Sequence, residues 1–148
     1  MQGYTRIAMT TAAVSVALAA AYAGAQERAQ AGAYRLVSFA GRALPTVVEE
    51  EDGCREEVLS ATLTLEAGGR WVLASRERET CGTVVEEEDD SESGTYSANG
   101  TALRFTEADD DDTPDDDVDL DELGSGTLAG GELTVRLTDE RTVLVFRQ

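Results

Sequence analysis

The sequence predicts an all-β chain, a small antiparallel up-and-down barrel of eight or nine short strands. Three observations lead there. Val58 to Glu66 alternates apolar and polar residues with period two, as a half-buried strand does. Tight glycine turns end at Gly69, Gly100 and Gly131, 31 residues apart each time. No helical period of useful length occurs between residues 34 and 148.

The chain begins with what reads as a helical signal segment. Residues 1–25 hold one positive charge, Arg6, then an apolar run from Ile7 to about Ala21, then Ala23-Gly24-Ala25 before Gln26. Cleavage as late as Ala31 is the alternative. The run is rich in alanine, is interrupted by Thr10, Thr11 and Ser15, and has no basic stop behind it, which favours a removed leader over a membrane span. Residues 26–33 are a short linker and 34–148 a single domain. The expected location is periplasmic or secreted.

Tyr34–Phe39 supplies the first strand. Val58–Glu66 follows, with Leu59, Ala61, Leu63 and Leu65 on one face. Ala67-Gly68-Gly69 turns the chain into Arg70–Glu79, which carries Trp71 and Leu73. Gly94–Ala98 leads into Asn99-Gly100, a strong two-residue hairpin signal, and Leu103 and Phe105 alternate on the way back. A third hairpin turns at Gly130-Gly131 between Leu128 and Leu133, and Val143–Phe146 closes the chain. Closing such a meander into a barrel removes its exposed edges, whereas a two-sheet sandwich would leave them. Both remain open at this point.

Two cysteines in an exported chain imply one disulfide. A turn near Gly68 makes opposed residues sum to about 134–137, and Cys54 with Cys81 sums to 135. If Leu65 and Trp71 share a face, strict alternation puts the cysteines on opposite faces. At least one must then lie in a loop or beyond a β-bulge.

Gly32-Ala33-Tyr34-Arg35-Leu36-Val37-Ser38, then Gly41-Arg42-Ala43-Leu44-Pro45, resembles the opening of small bacterial lipocalin-like (calycin-type) domains, whose first strand carries a G-x-aromatic signature. Gly94-Thr95-Tyr96, Leu103-Arg104-Phe105 and Leu144-Val145-Phe146-Arg147 are similar to that group as well. The resemblance spans about residues 32–148. It implies an antiparallel barrel, in some members binding a small apolar molecule.

Charge sets the functional limits. Thirty acidic residues stand against 12 arginines, with no lysine and no histidine, for a net charge of −18. A nucleic-acid partner is excluded by that sign. The absence of histidine removes Ser-His and Cys-His relays and imidazole metal ligands. No nucleophile elbow or phosphate-binding loop is present, so no enzyme activity is expected. The acidic runs, Glu49–Asp52, Glu86–Asp90 and Asp109–Glu122, are expected in loops that form a rim at the end opposite the glycine turns.

Asp115, Asp117, Asp119 and Asp121 have the alternating spacing of a Ca2+ ligand set, but the EF-hand pattern fails. Its glycine position holds Leu120 or Glu122, and its final glutamate position Gly126 or Leu128. Weak Ca2+ binding is the only cofactor interaction this spacing supports; solvation of the acidic loops is the leading reading, ahead of it, and a docking surface for a cationic partner ranks last. Trp71, Tyr96 and Phe105 either line a pocket for a small apolar ligand or fill the barrel. The expectation is therefore an exported, non-catalytic lipocalin-like barrel that binds a small apolar ligand. The alternative is an acidic structural or weak Ca2+-binding module with a filled barrel. No membrane span remains in the mature chain on either reading.

Overall fold

The computed structural model describes residues 30–107, 122–139 and 141–148. Their alternating segments form ten strands: β1 Gly32–Phe39, β2 Arg42–Ala43, β3 Thr46–Glu51, β4 Cys54–Leu65, β5 Arg70–Cys81, β6 Val84–Asn99, β7 Ala102–Glu107, β8 Leu123–Ala129, β9 Glu132–Leu137 and β10 Val143–Arg147. All pairings are antiparallel. The β4–β10 meander is closed by β1, which pairs with both β10 and β4. Eight strands thus make a closed barrel, with β2 and β3 as two extra edge pieces. Closure removes most of the unpaired edge an open sheet would present.

Period-two alternation sends one side chain in two inward. Leu63, Leu65, Trp71, Leu73, Tyr96, Leu103, Phe105, Leu133, Val135, Leu144 and Phe146 all point into one buried cluster that also holds Tyr34, Leu36 and Phe39. At roughly 25 cal/mol per Å2 of apolar surface removed from water, such side chains supply about 1.5–3 kcal/mol each.

In β4 the inward residue beyond Ala61 is Val58, not Leu59 as strict alternation requires. Val58 is buried and Leu59 is only half-buried. The reason is a register shift between Val58 and Ser60 opposite an unbroken β5: Leu65 faces Trp71, but Val58 faces Glu77. One extra residue reverses the facing of everything N-terminal to it. Cys54 thereby comes onto the same face as Cys81, and the two form a disulfide across directly opposed positions, with Cα atoms 4.1 Å apart. That spacing is typical of a non-hydrogen-bonded antiparallel pair.

The three glycine turns gather at one end. Tyr96 N–H donates to Gly69 O, and Leu128 N–H donates to Thr101 O. Gln30 closes this end: its side-chain amide donates to Gly100 O at 2.7 Å, while its own carbonyl accepts from the buried Tyr34 hydroxyl at 2.9 Å.

The opposite end departs from the sequence reading. Glu49–Glu51 lies in β3 and Glu86–Asp90 lies in β6, so two of the expected acidic loops are strand. β4, β5 and β6 run past the barrel wall, and their distal halves with β3 form a four-stranded ribbon. Residues 84–93 read as loop because they contain no apolar alternation beyond Val84-Val85. They are held by β5, not by the core.

Candidate functional site: an acidic β-ribbon

The two faces of the ribbon differ in charge because alternation sorts the residues. On the outer face, β4 presents Arg55 and Glu57, β5 presents Arg76 and Arg78, and β6 presents Glu87 and Asp89. These compensate one another. Arg78 donates to Glu87 at 2.7 Å and Arg76 donates to the other Glu87 oxygen at 2.8 Å, while Arg55 pairs with Glu57. The bond from Arg78 holds the Glu87 carboxyl below its ordinary range and raises the Arg78 guanidinium. An open hollow of about 410 Å3 lies among these side chains.

The inner face continues the wall that faces the barrel interior, and no arginine stands on it. Its positions are Glu49 and Glu51 on β3, Glu56 on β4, Glu77 and Glu79 on β5, and Glu86, Glu88, Asp90 and Glu92 on β6. Register aligns four of them. Glu49 is opposite Glu56, Glu56 opposite Glu79, and Glu79 opposite Glu86, a row of glutamates running straight across all four strands. Directly opposed side chains have Cβ atoms about 4.5–5.5 Å apart, so like charges there repel. The next row toward the tip is Glu51, Cys54, Cys81 and Val84, which places the disulfide immediately beside the carboxylates. Glu49, Glu51, Asp52, Cys54, Glu56 and Glu79 surround a shallow depression of about 230 Å3.

Cys54, Glu79 and Cys81 bring potential ligand atoms within 4.8 Å of one another. Disulfide sulfur is not thiolate, however, and is a poor metal ligand. The capacity for cations on this face belongs to the carboxylates, whose oxygens suit hard cations such as Ca2+.

No family model, curated protein or solved structure matches this chain.

The other sequence-derived residues fall as follows. Trp71, Tyr96 and Phe105 come together inside the barrel: Trp71 meets Phe105 edge-on with ring centroids 6.4 Å apart, and Tyr96 lies 6.5 Å from Phe105. Their polar atoms are satisfied internally, Trp71 Nε1 donating to Thr106 O and the Tyr96 hydroxyl to Glu66 O. Asp115, Asp117, Asp119 and Asp121 lie outside the described residues. Asp139 sits at the ribbon end of the barrel, in the turn between β9 and β10. Backbone and hydroxyl bonds from Thr142 lower its carboxyl.

Sequence reading missed the glutamate row, although its signal was present. The register that pairs Cys54 with Cys81 also pairs Glu56 with Glu79, and Gly82-Thr83 is a two-residue turn that sends Glu86 back opposite Glu79.

Proposed function

We propose that this is an exported, non-catalytic, lipocalin-like barrel with a filled interior, acting through its acidic ribbon as a weak cation-binding module. The observation that carries the reading is the glutamate row Glu49, Glu56, Glu79 and Glu86. Glutamates directly opposed at successive cross-strand positions repel one another, and a cation among them relieves that repulsion. Ca2+ fits because it takes six to eight oxygen ligands in flexible geometry; an exposed, unconstrained set corresponds to affinities of about 10⁻⁴–10⁻³ M. The disulfide supports export, since such bonds persist in oxidising compartments. Among the described residues no helix is long and apolar enough to cross a membrane. The mutual packing of Trp71, Tyr96 and Phe105 supports a filled barrel over an apolar-ligand pocket.

Calorimetric and thermal titration with Ca2+ tests this, comparing the native chain with a Glu56→Gln/Glu79→Gln variant. The native protein should show saturable, stabilising binding that sodium chloride of equal ionic strength does not reproduce. The variant should be more stable than the native chain without Ca2+ and should gain little from it. An equal Ca2+ response in both proteins would refute the reading. Recovery of a lipid from gently purified protein would overturn the filled barrel.

A further inference from the structure

We propose that the distal edge of β6 is a docking edge for a basic, extended segment of a partner protein, which adds to the ribbon as a fifth strand. Among the described residues, β6 from Val84 to Ser93 has a neighbour on one side only, since β7 pairs with it from Gly94 onward. Tyr96 turns its N–H toward the β5 side by donating to Gly69 O. The β5–β6 register runs without a shift to the tip, so the alternation of backbone direction carries through unchanged. The N–H and C=O groups of Val85, Glu87, Asp89 and Ser91 therefore face the open side, spaced for an incoming strand.

The other open edge of the ribbon is less suited. β3 has six residues, follows Pro45 and carries a register shift between Val47 and Glu49, a feature that interrupts pairing. Ten unbroken residues of β6 have no such interruption.

Charge selects the occupant. A second copy of this strand would set the run Glu86–Asp90, which contains no basic residue, against itself, so self-pairing is opposed. A strand with arginine or lysine at alternate positions would instead extend the glutamate row and place cations beside Glu86, Glu88 and Asp90 on the face that carries no arginine. Backbone hydrogen bonds would supply affinity and the alternate side chains selectivity. This inference rests on the reading of the inner face as cation-seeking, and adds to it a specific geometry and a partner class.

The experiment is fluorescence anisotropy with a nine-residue peptide of alternating arginine and threonine, at about 0.15 M salt, where the Debye length is about 8 Å. Its comparison is the same peptide N-methylated at every backbone amide, which keeps the charge and loses the donors. The native protein should bind the unmodified peptide at least tenfold more tightly. A Ser91→Pro variant blocks an edge-facing N–H without touching the β5 ladder; it should lose the peptide and keep the Ca2+ response. Equal affinity for both peptides, or no binding of the unmodified one, would overturn the proposal and leave the Ca2+ reading to its own test. Should Ser91→Pro fail to fold, the peptide pair on the native chain decides the matter alone.

Discussion

At the scale of single residues, Gly94 marks the closest approach in the barrel wall. A Cβ there would lie 2.1 Å from Thr106 O and 2.7 Å from Trp71 Nε1, the two atoms joined by the tryptophan hydrogen bond. Gly94→Ala should therefore lower unfolding free energy by about 1–3 kcal/mol in urea denaturation. Gly68→Ala is the control; nothing stands within 4 Å of its Cβ position and it should change little. Asp139 gives a pH signature. Its carboxyl is lowered in the folded chain by the bonds from Thr142, so its contribution is complete above the ordinary aspartate range and disappears as pH falls through the depressed value. The melting-temperature gap between native protein and Asp139→Ala should be open at neutral pH and narrow in acid. A constant gap would show that ionisation is irrelevant there. Residue identity made the core legible, since Trp71, Tyr96 and Phe105 are where alternation put them. It did not reveal the Gly94 contact, which depends on β7 lying against β6.

At the scale of elements, the disulfide and the bulge in β4 act together. The register sum identified Cys54 and Cys81 as opposed, and the facing conflict required a bulge or loop. The structure resolves this by the shift between Val58 and Ser60. A loop of 27 residues implies about 3.5 kcal/mol on the chain-entropy model. The Cys54→Ser/Cys81→Ser variant should lose stability of that order, and unchanged unfolding in urea would contradict the structural role. The distal half of β6 was not legible as strand, because sequence patterning reports burial and this segment buries nothing. It is held by the unbroken backbone ladder to β5, with Arg76 and Arg78 of that strand pairing its Glu87. β3 was hidden for another reason: it buries Thr46 and packs Val48 on the core, but a register shift between Val47 and Glu49 breaks its alternation.

At the scale of the whole molecule, the barrel separates two tasks. The glycine-turn end is closed by Gln30 and Tyr34, and the apolar interior is contiguous. The other end carries the charge excess, sorted by strand alternation into one face that mixes arginine with carboxylate and one that carries carboxylates without arginine. A net charge of −18 on so short a chain keeps it soluble and opposes self-association. That the acidic runs share one end was legible from turn spacing for the two runs the structure describes. That they form a faced ribbon was not, because the facing of Glu49–Glu51 depends on two bulges and that of Glu86–Asp90 on a register with β5 that polar residues do not announce. The central claim is that cations gather on the inner face. Paramagnetic broadening of backbone amide signals by Mn2+, a probe for oxygen-ligand sites, tests it most directly. The account predicts selective broadening of Glu49–Glu56, Glu77–Cys81 and Val84–Asp90, with β9 and β10 unaffected. Broadening centred on residues 109–122, or spread evenly over every acidic residue, would contradict it.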